Sequence, residues 1–171
     1  MKTTEVTNIV IAGLGGQGVI TASDILADAA FRAGRDVKKS ELHGMSQRGG
    51  SVTSEVRFGE QVFSPMVPRG EADFLVVLAS DQIEPNRHYL RPDGRLIPPE
   101  WIVESSLSNR RSLNVALIGA LSAFLYLPEP NWLEAVRANL PEKLREMNAQ
   151  AFQIGREAAR LRQTEREESP S

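Results

Sequence analysis

Ile9-Val10-Ile11-Ala12-Gly13-Leu14-Gly15-Gly16-Gln17-Gly18 decides the fold. Its first four residues are apolar and mostly β-branched, the composition of a buried strand. The glycines that follow spell G-x-G-x-x-G at Gly13, Gly15 and Gly18, and beyond them Ile25, Leu26, Ala29, Ala30 and Ala33 recur at helical spacing. Strand, glycine turn and helix in that order are the context that a dinucleotide-binding turn requires. The first glycine permits a tight turn and the second lets backbone N–H groups approach a diphosphate. The third lets helix pack on strand, and the positive helix end favours the anion. Glycines in such a turn also serve geometry and packing alone, so the motif by itself gives either an anion site or a structural corner.

Outward from this unit, Gly34 stops the helix and Val37 to Leu42 reads as a second strand, which makes the opening a βαβ unit with a parallel sheet. Ser51 to Phe58 alternates, with Val52, Val56 and Phe58 on one face and Thr53, Glu55 and Arg57 on the other. Gly59-Glu60 can turn that strand into Gln61-Val62-Phe63, a hairpin. The run Asp73 to Ala79 is nearly all apolar and fits a central parallel strand, and Arg95 to Ile97 a short one ended by Pro98-Pro99. Leu113 to Tyr126 reads as a buried helix. Asn131 with Glu134 resembles a capping box, and Pro141 opens a last helix whose Leu144, Met147, Ala151, Phe152, Gly155 and Ala159 share a stripe. The whole predicts a three-layer, Rossmann-like α/β domain over residues 1–162, with a mostly parallel sheet, one β-hairpin and C-terminal helices. A charged, disordered tail over 163–171 follows.

Composition narrows the chemistry. The 171 residues carry 20 basic and 22 acidic side chains and no cysteine. No disulfide, thiolate metal site, catalytic thiol or cluster bound through this chain's own sulfurs is therefore available. His43 and His88 are the only histidines and do not stand at ligand spacing, so no metal site is expected. Lys and Arg are scattered rather than striped, which gives no reason to expect nucleic acid. The longest apolar run is too short and too interrupted to span a bilayer, and the chain reads as cytoplasmic. Trp101 and Trp132 stand at element edges, beside prolines, where they either finish the core or meet a partner.

A second dense constellation is His43-Gly44-Met45-Ser46-Gln47-Arg48-Gly49-Gly50, a polar loop expected at the carboxyl end of the second strand, the edge where ligands bind in open α/β sheets. Arg48 suits a bidentate bond to phosphate or carboxylate, or equally an ordinary salt bridge, while Gly49-Gly50 allow close approach of backbone. Ser46 is no nucleophile: the spacing is not G-x-S-x-G and the strand-to-helix elbow is missing. An NAD reading, as a stand-alone dehydrogenase or sensor module, needs a ribose carboxylate about 20 residues beyond the glycine turn. Glu41 fits that position and Asp36 falls slightly early, but no substrate domain follows.

Taken together, these motifs resemble the gamma-type subunit, or catalytic domain, of the 2-oxoacid:acceptor (ferredoxin) oxidoreductases. The likeness extends through Val56-Arg57-Phe58-Gly59, Ala72-Asp73, Asn114, Gly119-Ala120, Asn148, Ala151-Phe152 and Gly155. The His43 to Val52 phrase looks like the indolepyruvate branch. The resemblance departs between Ile97 and Asn114, where the family has a further strand and helix and this chain a short link. It implies CoA-dependent oxidative decarboxylation of a 2-oxoacid to acyl-CoA and carbon dioxide, with electrons passing to ferredoxin. Thiamine diphosphate and iron-sulfur clusters would reside on partner subunits of a hetero-oligomer inactive without them, and this chain would be a non-redox subunit contributing no catalytic residue. In pyruvate-type relatives the corresponding domain is associated with coenzyme A. On that view Gly13, Gly15, Gly16, Gln17 and Gly18, with Ser46, Gln47, Arg48, Gly49 and Gly50, contact CoA. His43 and Met45 face the thiamine-bearing partner, and the same loop has docking of that partner as an alternative role.

Overall fold

A computed structural model of the protein describes residues 5–44 and 50–168. Five strands, β1 (Thr7–Leu14), β2 (Asp36–His43), β3 (Ser51–Gly59), β4 (Ala72–Val77) and β5 (Leu90–Ile97), form one sheet in the order β2-β3-β1-β4-β5. The helices are α1 (Val19–Arg32), the single turn α2 (Ile83–Asn86), α3 (Leu113–Ser122), α4 (Glu129–Ala138) and α5 (Glu142–Glu168).

The glycine unit folds as its sequence directs. In β1, Ile9, Val10, Ile11 and Ala12 are completely buried because the strand is central and covered on both faces. Strands β1, β4 and β5 are parallel neighbours, while β3 runs antiparallel to both β1 and β2. Four of the five strands therefore point one way, and β3 alone is reversed.

The strand order and the hairpin both differ from the sequence expectation. β1 and β2 are not adjacent: β3 inserts between them, pairing Val10 with Glu55 on one side and Lys39 with Val56 on the other. The hairpin exists, but its arms are β2 and β3, and residues 61–63 form no strand. Val62 N–H instead donates to Asp36 Oδ2 at 2.7 Å, and Arg57 Nη1 donates to the Ser64 carbonyl at 2.8 Å. Pro65 and Pro68 lack the N–H groups a ladder needs, so the segment after β3 crosses the sheet as a strap.

The long helices share one face. Ile9, Ile11, Val56 and Val76 pack there with Ile25, Leu26, Leu117, Trp132 and Phe152. The other face is a thinner layer, where Val10, Ala12, Leu75 and Val77 lie beneath Val67 of the strap and beside Ile83 and Tyr89. This strap explains why Glu55, on the polar face of β3, is only 2% exposed: it accepts the Val67 N–H at 2.7 Å and faces the Tyr89 hydroxyl. Burial and the Glu55 carboxylate together raise the Tyr89 phenol above its ordinary value.

Helices α3 and α5 cross in close contact at two glycines. A methyl at Gly119 would overlap the Phe152 carbonyl, and one at Gly155 the Ala116 carbonyl. Trp132 is fully buried against Phe152, with ring centroids 5.8 Å apart, and so finishes the core. Helix α4 begins at Glu129, ahead of the expected Asn131 box, because Pro130 suits a first turn in which an N–H would have no partner. The link of residues 98–112 contains three 3₁₀ turns, Pro99–Trp101, Glu104–Ser106 and Arg110–Ser112, and no strand. Helix α5 continues to Glu168, through most of the segment read as a tail.

Candidate functional site

The register places both motifs on one edge. Leu14, the last residue of β1, pairs with Ser51, and His43, the last of β2, pairs with Val52. The glycine turn, the ends of β2, β4 and β5, and the start of β3 thus share the carboxyl edge of the sheet. A direct bond joins the two motifs: Gly15 N–H donates to the Gly50 carbonyl at 2.8 Å. Across the neck of the polar loop, Gly44 N–H donates to the Ser51 carbonyl at 2.6 Å. Met45, Ser46, Gln47, Arg48 and Gly49 lie outside the described residues.

Within the turn the five expected contact residues divide their work. Gly13 is buried in β1, where a Cβ would come within 2.9 Å of both Gln17 Oε1 and Val19 Cγ2, so this glycine serves packing. The Gln17 side chain is committed to the protein: its Oε1 accepts the Leu14 N–H at 2.7 Å, and its Nε2 reaches the Leu78 carbonyl at 3.5 Å. The amides of Gly15 and Gln17 are also committed, to the Gly50 and Leu14 carbonyls. What the turn presents is the exposed Gly16 and the first turn of α1, whose leading amides have no intrahelical partner. Gly18 caps that helix in the left-handed conformation, φ 83°, with no side-chain cap and no acidic residue in the first turn. An uncapped positive end without a local carboxylate suits a phosphate.

Asn114, near the start of α3, closes the other side. Its Nδ2 donates to the Gly18 carbonyl at 3.2 Å, and a methyl on Gly18 would overlap that amide. Apart from the resemblance, no local sequence signal connects two residues 96 positions apart.

Glu41 does not sit where a ribose carboxylate belongs. With β3 between β1 and β2, it is displaced by a whole strand from the glycine turn, and it accepts from Lys39 Nζ at 2.7 Å. Burial pulls the Lys39 ammonium down, but the carboxylates of Asp24 and Glu41 outweigh it and raise the group above its ordinary value. The geometry gives the NAD reading no support.

At the opposite edge, a broad cleft of about 1050 Å³ runs past Asn8, Phe58, Asp73, Arg91, Arg95 and Phe124. Its polar groups are largely engaged with one another: Arg91 bonds Asp73 and Asp93, each at 2.7 Å. Trp101 is half-buried, 6.1 Å from Phe124 and capped by Arg162. Among the described residues no group of three metal-ligating side chains exists, and no helix is long and apolar enough to cross a membrane.

Fold and edge together define a mixed α/β domain of the kind found in oxidoreductase gamma subunits. The gamma subunit of a keto/oxoacid ferredoxin oxidoreductase from Geobacter sulfurreducens superposes with a TM-score of 0.70 at 26% identity, over 91% of this chain and 99% of that one. The chain belongs to the pyruvate ferredoxin/flavodoxin oxidoreductase family, whose characteristic sequence matches residues 8–100 and 97–158. The two matched pieces overlap at residues 97–100, where the link before α3 begins. Indolepyruvate oxidoreductase subunit IorB of Thermococcus kodakarensis is 38% identical over 195 positions, covering 90% of this chain and 96% of that protein. The 2-oxoglutarate synthase subunit KorC of Archaeoglobus fulgidus is 34% identical, covering 90% and 88%. A 2-oxoglutarate:ferredoxin oxidoreductase from Magnetococcus marinus, solved with 2-oxoglutarate, coenzyme A and succinyl-CoA bound, shares the fold at TM-score 0.77 and 21% identity. The match covers 92% of this chain and 31% of that one.

Proposed function

We propose that this chain is the small, non-redox subunit of a cytoplasmic 2-oxoacid:ferredoxin oxidoreductase of the indolepyruvate or arylpyruvate type. The assembly converts a 2-oxoacid and CoA to acyl-CoA and carbon dioxide and passes the electrons to ferredoxin. Thiamine diphosphate and the iron-sulfur clusters belong to the partner subunits, in keeping with a chain that has no cysteine. The observation that carries the reading is the bond from Gly15 to Gly50, which fastens the glycine turn to the loop phrase of the indolepyruvate branch at one sheet edge. Similarity to IorB over nearly the whole of both chains supports the branch.

At this edge the chain's task is to hold the phosphate end of CoA. Gly16, Gly18 and the first-turn amides of α1 supply donors that fit that group, and the guanidinium chemistry of Arg48 makes it the charge-assisted partner of this proposal. Gly13, Gly15 and Gln17 support the turn from within, and Ser46, Gln47, Gly49 and Gly50 complete the loop. Arg48→Ala is expected to raise the assembled enzyme's apparent KM for CoA by roughly 10- to 100-fold, the worth of one bond to a charged group. An unchanged KM would remove Arg48 from the site. Co-purification of a Met45→Asp variant tests the other role of the loop: loss of the thiamine-bearing partner would make the loop a docking element.

A further inference from the structure

The reading of the carboxyl edge as a CoA site leaves open what fixes the amides it uses, and the structure assigns that part to Asn114 as a positioning residue. The inference rests on the proposed function and adds a residue from a third element to it.

The glycine turn is held at three separate points. Gly50 takes the Gly15 N–H, the end of β4 takes Gln17 through the Leu78 carbonyl, and Asn114 donates to the Gly18 carbonyl. The first two secure the β1 side of the turn. The third alone secures the residue that caps α1, and so sets where Gly18, Val19 and Ile20 aim their N–H groups. The Gly18 carbonyl accepts a second bond, from Ala22 N–H at 3.0 Å, so the donor on α3 and the first helical turn of α1 are tied through one oxygen. Asn114 is 6% exposed and its amide fills the space a Gly18 side chain would need, which leaves the pair no second arrangement without repacking.

Charge explains the choice of an amide over a carboxylate. Asn114 lies in the first turn of α3, so the first turns of α1 and α3 meet at Gly18, and neither carries an acidic residue. A carboxylate at 114 would put negative charge at the place a phosphate is to occupy, and it would set an acceptor against the Gly18 carbonyl. The neutral amide donates the bond and leaves the positive end of α1 to the ligand.

The test uses the assembled oxidoreductase, with CoA and the 2-oxoacid varied in turn. Asn114→Ala removes the donor and should raise the CoA KM about 5- to 10-fold. Asn114→Asp should raise it further. In both, the 2-oxoacid KM and the rate at saturating CoA should stay within about twofold of the parent enzyme, a split that general loss of packing would not give. A CoA KM unmoved by both substitutions, or 2-oxoacid and CoA KM rising together, overturns the inference. A second measurement needs no variant: in the wild-type complex, CoA should slow amide exchange at residues 16–20 and at 112–114 together. Protection at 16–20 with none at 112–114 contradicts the role of Asn114 and leaves the CoA reading intact. Protection at neither, with activity independent of CoA, removes that reading and this inference with it.

Discussion

Gly16 and Gly18 both have positive φ, 87° and 83°, and their surroundings set them apart. No atom lies within 4 Å of a Cβ on Gly16, whereas one on Gly18 runs into the Asn114 amide. Alanine at 16 meets only the backbone penalty of the left-handed region, about 1 kcal/mol, while alanine at 18 adds overlap and should cost about 2–3 kcal/mol. In thermal unfolding that difference reads as a fall of about 2–4 °C for Gly16→Ala and about two to three times that for Gly18→Ala. Equal falls would mean that Asn114 moves aside freely. The glycine motif was legible in the sequence as a turn, but its division of labour was not. Gly13 packs, Gln17 clamps and Gly18 caps because of Leu78 and Asn114, partners that no local pattern names. Glu41 shows the reverse case, a spacing that fits a ribose contact in a chain whose strand order moves the residue away.

The elements themselves were more legible than their neighbours. Alternation in Ser51 to Phe58 gave a strand with one polar face, and that strand is β3. Periodicity says nothing about which strands flank it, so its place between β1 and β2 was not readable. The polar face that alternation assigns to solvent lies instead under the strap, with Glu55 bonded to Val67 N–H. At the strap's other end Asp36 is held below its ordinary value of 3.8, first by the Val62 N–H and then by the Lys38 ammonium. A carboxyl whose folded pKa is depressed stabilises the fold above about pH 4 and loses that contribution as pH falls through the lower folded value. Asp36→Ala should therefore be less stable than the parent chain at pH 7, and the gap should narrow as pH falls below the ordinary value of 3.8. Urea unfolding across that range checks it, and a gap independent of pH would show that the clip does not depend on charge. Among the helices, the last stripe correctly included Gly155, but only its contact with the Ala116 backbone shows why glycine is required. Gly155→Ala should separate α3 from α5, cost about 3 kcal/mol and lower the midpoint of thermal unfolding by about 6–12 °C. A loss under 1 kcal/mol would mean that the two helices slide apart at little cost.

At the scale of the whole molecule, a chain without cysteine folds into a domain that brings the glycine turn and the neck of the polar loop to one sheet edge. The family membership and the similarity to IorB over nine-tenths of the chain place it among subunits of 2-oxoacid oxidoreductases, and the geometry ties the glycine turn to Gly50 at the neck of the polar loop. The link at residues 98–112 holds three 3₁₀ turns and no strand. The most direct test of the central claim is anaerobic isolation of the protein from its native cells, followed by assay of the purified material with arylpyruvates, CoA and a low-potential dye. The proposed function requires a larger partner carrying thiamine diphosphate and iron, and dye reduction that depends on both CoA and the 2-oxoacid. A chain that purifies alone, without iron, thiamine or activity, would contradict it.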